Sequence, residues 1–575
     1  MTRHKSRLLV TCLILHAVFT SVAAAQGPAS AKRSDKKPDV QKTSVMVPMH
    51  DGVRLATDIY RPASQTGPLP VIFSRGPYGK GAAAAAAGVA CKRGYVFISQ
   101  DMRGRYKSEG KDYPIFHNDG WGERRDGQDS LEWIARQPWC DGSIGTIGGS
   151  ALGITQTMMA PGAPSTLKAQ YIQVAFDDMY SQGTYEGGVW RKSLIETWLA
   201  ATQLDPKNLE LFLKHARYDE FWADTNAKAH ADRVNVPAIF WGGWYDIFEQ
   251  GTIDSFVTIH NHGGPLARGK CRLLIGPYAH GPVTGLTYPE NSRHEPKAAD
   301  GSRFFDYHLK GIANGVDRDR PVNYYVMGDT SDSHAPGNEW RAADNWPPPA
   351  RPTPFYFHAG GRLTTERPAG PDDRQSFKYN PQKPVLTLGG QNLFGPKGPA
   401  DLRPTEARND VLVFTTDVLK EPVEVTGRIL AELAISSDCP DTDFTVLLAD
   451  GYPDGRSMLV TDGILRARFR KSFEREEFLE PSKTYDLTVD LWSTSLVFNK
   501  GHRIRVLVSS SNAPRFDPNP NTGHAFRADK ETRVATNTIH LSAGHSSRIV
   551  LPIIDESLRK ASTQPVAGAE EPRTK

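Results

Sequence analysis

Cysteine is scarce in this chain, at five residues in 575. Cys12 falls in a candidate leader, and the other four, Cys91, Cys140, Cys271 and Cys439, are too widely spaced for any zinc-ligand pattern. A chain this long can build its own core without staples, so disulfide bridges and buried thiols both stay open. A surplus of charge of one sign is missing too. The 69 Lys and Arg stand against 65 Asp and Glu, and a dispersed net charge of +4 argues against a nucleic-acid partner. The strongly apolar run at 8–22 falls short of a membrane span. Metal-ligand, phosphate-loop and cofactor motifs are absent, so no metal or cofactor is expected.

What is present describes an ordinary globular protein of several domains, 39% hydrophobic and 23% charged. Arg3, His4, Lys5 and Arg7 precede the apolar run, and Ala23, Ala24 and Ala25 close it. This is the pattern of a secretory signal over 1–25, and it predicts a secreted or periplasmic protein, free of the membrane once the leader is removed. Residues 26–42 read as a disordered linker and 556–575 as a disordered tail.

Over 43–163 strands alternate with helices. Two strands flank the Asp51-Gly52 turn, apolar runs at 69–74 and 95–100 surround a helical Gly/Ala stretch, and Leu131, Ile134 and Ala135 mark an amphipathic helix. Such alternation predicts an α/β fold with a mostly parallel sheet covered on both faces. It lapses over 164–234, where aromatic-rich helical patterns predict an inserted helical cap, and resumes over 235–345. A Trp- and Pro-rich linker follows. From 352 to 555, short β runs between turn residues predict a C-terminal β-sandwich of jelly-roll type.

The stretch IGGSALGITQ (147–156) crowds glycine around Ser150 directly after a β-rich run. Taken alone it is a turn; at a strand end it is also a nucleophile elbow, with the serine projecting from the start of a helix. A serine nucleophile needs a base, and the base an orienting acid. The run VPAIFWGGWYD ends a buried strand on Asp246, and CRLLIGPYAHG ends another just before His280. Singly, an Asp there is a cap and a His is polar surface. Together they follow Ser150 in the chain order and strand context that an α/β-hydrolase requires.

Several motifs in register carry a family resemblance: RGPYGK (75–80), QDMRGRYKSEG (100–110), QPWCDGSIGTIGGSALG (137–153), GGWYDIF (242–248), GPYAHG (276–281), FFDYHLKG (304–311) and GHRIRVLVSSSNAPRFDPNPNTG (501–523). The chain resembles the cocaine-esterase-like hydrolases, a group that includes α-amino-acid ester hydrolases, glutaryl-cephalosporin acylases and bacterial X-Pro dipeptidyl-peptidases. The resemblance implies an α/β-hydrolase domain with a cap, followed by the jelly-roll domain. It implies Ser150 as nucleophile, His280 as base, Asp246 as its orienter, and an oxyanion hole made by the Tyr78 hydroxyl and the backbone N–H of Ala151. The family pattern Gly-x-Ser-Tyr-x-Gly accounts for the glycine at 153, but this chain has Ala151 where the tyrosine is usual.

Family members acting on amino-acyl groups hold the substrate ammonium with carboxylates that include a Glu-Asp pair two and three residues beyond the orienting Asp. Here those positions are Phe248 and Glu249. Phe248 fits an aromatic wall beside a neutral acyl group. Glu249 is either an ammonium partner or a solvated helix residue. Asp177, Asp178 and Glu186 are further anionic candidates in the cap, and Tyr185, Trp190 and Trp198 are candidate apolar surface. The favoured reading is an exported serine hydrolase of carboxylic esters, or amides, acting on a small molecule with a neutral or aryl acyl group. The alternative is an X-Pro dipeptidyl-peptidase, amino-acid ester hydrolase or acylase; a third is a non-catalytic polysaccharide-binding protein. Homo-oligomerisation stays open.

Overall fold

The computed structural model describes residues 40–555 together with 557 and 558. The expected leader over 1–25, and nearly all of the linker and tail, lie outside the described residues. Within them, no helix is long and apolar enough to cross a membrane.

The first sheet has ten strands. They are β1 (Val40–Pro48), β2 (Arg54–Pro62), β3 (Leu69–Gly76), β4 (Val96–Asp101), β5 (Cys140–Gly149), β6 (Leu167–Gln173), then, after a small hairpin of β7 (Tyr185–Glu186) and β8 (Val189–Trp190), β9 (Ala238–Tyr245), β10 (Arg272–Ala279), β11 (Val322–Val326) and β12 (Glu339–Ala343). Their order is β1-β2-β4-β3-β5-β6-β9-β10-β11-β12. Pairing is parallel from β4 through β11 and antiparallel at both margins. The apolar runs in the middle of this sheet are buried on both faces because helices cover each side. These are α1 (Ala84–Lys92), α2 (Asp126–Ala135), α3 (Ala151–Met159), α6 (Glu249–His262) and α7 (Gly301–Lys310); α4 (Lys192–Thr202) and α5 (Lys207–Lys214) pack on each other between β8 and β9.

Two boundaries differ from the sequence expectation. The first strand begins at Val40, inside the segment read as disordered linker. The segment read as cap from 164 opens with a true sheet strand, β6, between β5 and β9. Its glutamines hid it. Gln170 is buried and its Nε2 donates to the Gln156 carbonyl (3.0 Å), so a polar side chain occupies an interior position. The cap proper therefore starts after Gln173 and carries the hairpin, α4 and α5.

The C-terminal domain is an eleven-stranded sheet between Arg351 and Ile554. Its ladder is continuous through the domain. A single parallel pair, Arg362 with Thr415, joins its halves, and every other pairing is antiparallel. The linker between the domains is pinned: Trp346 is buried, its ring 5.6 Å from Trp244 and 5.5 Å from Tyr324. One hydrophobic core accordingly runs through both domains. The four described cysteines are free thiols, and burial pushes Cys91 and Cys439 to about 11 and Cys271 to about 12.

Candidate active site

Four strands of the parallel sheet end on the same rim, and each delivers one residue. Tyr78 follows β3, Ser150 follows β5, Asp246 follows β9 and His280 follows β10. Ser150 sits at φ 57°, ψ −128°, a conformation costly for a residue with a side chain, and its N–H donates to the Gln173 carbonyl (3.0 Å). The turn closes this tightly only because Gly153 has no side chain. A Cβ there would lie 2.8 Å from the Ala175 Cβ and from the Gln173 carbonyl oxygen.

Ser150 Oγ is 3.0 Å from His280 Nε2, and His280 Nδ1 is 2.8 Å from Asp246 Oδ2. The other Asp246 oxygen accepts the Phe248 N–H (2.7 Å), which fixes the carboxylate plane. With a carboxylate acceptor on Nδ1, the ring carries its proton there and offers Nε2 as a lone pair to the serine. All three side chains are buried. Tyr78 is half-buried, and its oxygen accepts a hydrogen bond from Trp198 Nε1 (3.0 Å). Burial pushes the Tyr78 phenol upward, while hydrogen bonds to Trp198 and Ser150 pull it down. Ala151 begins α3, so its N–H has no preceding turn to receive it and is available beside Ser150.

Ser150 opens onto a pocket of about 430 Å³, counting its mouth. The cap supplies Phe176, Met179, Leu194, Ile195, Trp198 and Phe212, and the catalytic domain supplies Phe116, Ile247 and Phe248. Leu393 reaches in from the C-terminal domain. Phe248 stands edge-on to both His280 (5.9 Å) and Phe176 (4.9 Å). Among the described residues, no carboxylate lines this pocket.

Several expected pocket residues lie elsewhere. Tyr185 and Trp190 are core, at 1% and 0% exposure. They flank the β7–β8 hairpin, which is pressed against the C-terminal domain; the Tyr185 hydroxyl donates to the Phe212 carbonyl (3.0 Å) and Trp190 Nε1 to Glu196 (3.1 Å). Glu249 is neither solvated nor in the pocket. It is fully buried in α6, both its oxygens lack a hydrogen-bond partner, and burial pushes its carboxyl well above the ordinary range. The charges that act on it, Asp254, Arg428 and Asp490, lie away from Ser150's pocket lining. Asp178 caps the turn at 179–184, accepting from the Tyr180 N–H (3.0 Å) and the Ser181 hydroxyl (2.6 Å). Glu186 pairs with Arg515 (3.3 Å) and Arg191 (3.5 Å), and Asp177 is buried with both oxygens unpartnered. Sequence reasoning missed Leu393 altogether: nothing local marks a residue some 240 positions from the serine as a neighbour. The Trp198 bond to Tyr78 was equally invisible, although Trp198 itself was a candidate.

Comparison with known proteins bears on this arrangement. Residues 51–208 and 193–282 match the family model for X-Pro dipeptidyl-peptidase (S15 family), and residues 314–550 match that for the X-Pro dipeptidyl-peptidase C-terminal non-catalytic domain. The chain is 35% identical to the cocaine esterase of a Rhodococcus species, over 89% of this chain and 98% of that protein. In fold it resembles an aminopeptidase from a marine sediment Thaumarchaeota archaeon (TM-score 0.78, 24% identity, 93% of this chain and 100% of that one). It also resembles an α-amino acid ester hydrolase (TM-score 0.76, 24% identity, 92% and 99%). The strand-end site, the capped α/β domain and the full-length match together place this chain in the family of cocaine-esterase-like serine hydrolases and X-Pro dipeptidyl-peptidases.

Proposed function

We propose that the protein hydrolyses carboxylic esters of neutral, preferably aryl, acids through an acyl-enzyme on Ser150. His280 Nε2 takes the serine proton as Oγ attacks the ester carbonyl carbon. Asp246 holds the ring in the tautomer that this requires and stabilises the imidazolium. The Tyr78 hydroxyl and the Ala151 N–H donate to the oxyanion of the tetrahedral intermediate. His280 then protonates the departing alcohol, and water repeats the sequence to release the acid.

One observation carries the reading: the hydrogen-bonded Ser150, His280 and Asp246 open onto a pocket walled by aromatic and aliphatic side chains, with no carboxylate among the described residues lining it. An acyl group bearing an ammonium, as an N-terminal dipeptide does, loses its hydration there and gains no counter-ion. Phe248 stands where amino-acyl enzymes of the family keep an acid. Ser150→Ala is expected to abolish both ester turnover and covalent labelling by a fluorophosphonate while the protein stays folded. p-Nitrophenyl benzoate and phenylacetate are expected to be turned over well, and X-Pro-p-nitroanilides poorly. Retained turnover in Ser150→Ala, or a preference for the X-Pro anilides, overturns the reading.

A further inference from the structure

A narrow tongue of the C-terminal domain, residues 389–398, reaches Ser150's pocket and the His280 loop. The tongue is closed on itself: Gly390 and Gly398 exchange backbone hydrogen bonds (2.8 and 3.0 Å), and Asn392 Nδ2 donates to the Gly389 and Pro396 carbonyls (2.7 and 2.8 Å). Its tip sends Leu393 into the acyl pocket. Its base sends Lys397 to the loop that carries His280. There Lys397 Nζ donates to the His280 carbonyl (3.2 Å) and to the Leu393 carbonyl (2.7 Å). The Lys397 carbonyl in turn accepts the N–H and the hydroxyl of Thr284, both at 2.8 Å.

Two features make this more than packing. The ammonium is half-buried, yet among the described residues no carboxylate forms an ion pair with it; carbonyl oxygens are its acceptors. The carbonyl it holds also belongs to the residue whose ring bridges Ser150 and Asp246. His280 is followed by Gly281 at φ 117°, in a turn closed only by the Gly281 N–H on the Ala279 carbonyl. On the far side the cap does the same for the acid, since Arg191 Nη2 donates to the Ile247 carbonyl (2.8 Å), next to Asp246. Burial lowers the Lys397 ammonium from its ordinary range, and the field of Asp246 opposes that shift.

We propose that Lys397 is a positioning residue for His280: the C-terminal domain uses its ammonium to fix the main chain of the base and so sets where Nε2 meets Ser150 Oγ. The inference rests on the reading of His280 as the base. It separates two effects of the same tongue. Loss of Leu393 removes acyl-pocket wall and belongs in KM, whereas loss of Lys397 misplaces the base and belongs in kcat.

The test compares kcat and KM on p-nitrophenyl benzoate for Lys397→Met, Lys397→Gln, Lys397→Arg, Leu393→Ala and His280→Ala in the full-length protein. Both neutral variants at 397 are expected to lose about tenfold in kcat with KM within about twofold of the parent. Their rate of fluorophosphonate labelling should fall by the same factor, and Lys397→Arg should recover most of the loss. Leu393→Ala should raise KM and spare kcat. Unchanged kcat in the folded neutral variants, or a loss confined to KM, overturns the inference. If His280→Ala keeps turnover and labelling, the underlying reading of the base fails instead.

Discussion

The Tyr78 hydroxyl has one proton to give, and Trp198 decides where it goes. By donating to the Tyr78 oxygen at 3.0 Å, the indole fills an acceptor site and leaves the phenolic proton free, as the proposed oxyanion role of Tyr78 requires. Tyr78→Phe removes that donor, and steady-state kinetics should show kcat lowered by about 10²- to 10³-fold with little change in KM. Trp198→Phe keeps the donor but not its orientation, so a smaller loss in kcat is expected. A silent Tyr78→Phe assigns the oxyanion hole elsewhere. Asp177 makes a different prediction at the same scale. Burial pushes its carboxyl to about 7, with Lys228 opposing and Asp254 adding to the shift. The folded protein thus keeps this proton where the unfolded chain has released it. Unfolding sheds a proton between about pH 4 and 7, so stability falls across that window as pH rises and levels above it. Asp177→Asn cannot ionise. Its gain in Tm over the parent should be small near pH 4 and should grow toward pH 7; an equal gap at both ends contradicts the assignment.

At the scale of elements, the start of α6 controls the acyl pocket. Phe248 is the residue before its first turn, its N–H tied to Asp246 and its ring against His280 and Phe176. A carboxylate placed there loses its hydration, a cost that only a paired cation offsets. The parent enzyme should therefore favour a benzoyl or phenylacetyl ester over the matching phenylglycine ester, and Phe248→Glu should narrow or reverse the kcat/KM ratio while the amine is protonated. A parent that prefers the amino ester tenfold or more refutes the neutral-acyl reading. The β7–β8 hairpin shows where element-level reading of the sequence stops. Its turn approaches the second domain so closely that a Cβ on Gly187 (φ 55°) would lie 1.9 Å from the Ile464 carbonyl oxygen. Tyr185 and Trp190 are candidate pocket surface only as aromatic residues of a cap, where such spacing more often means core; docking of this turn makes them core. β6 was misread for the opposite reason: its buried Gln170 is satisfied by the Gln156 carbonyl and the Thr146 hydroxyl, partners that no local pattern reveals.

In the whole molecule, the domains share charges as well as core. Glu186 and Arg191 of the cap meet Arg515 and Asp462 of the C-terminal domain in a buried cluster, with Arg515 bonded to Asp462 at 2.8 Å and to Glu186 at 3.3 Å. Separating the domains breaks the Arg515–Glu186 bond and exposes this cluster, while Glu186 keeps Arg191 and Arg515 keeps Asp462 within their own domains. Differential scanning calorimetry is expected to show one cooperative transition, and Arg515→Met should lower it without splitting it; two resolved transitions would mean that the domains unfold independently. What the sequence determined by itself was the class of fold and the identity of its strand-end residues. Apolar runs long enough to be buried on both faces specify a parallel sheet, and the carboxyl ends of such strands converge on one rim, so Ser150, Asp246 and His280 could be placed together from strand context and chain order. The family resemblance added Tyr78. Only the tertiary structure decided what surrounds them, because burial and hydrogen-bond satisfaction are properties of packed neighbours far apart in the chain. It turned Glu249 away from the pocket, set Trp198 on the Tyr78 oxygen, and brought Leu393 and Lys397 from the second domain to the acyl pocket and the base.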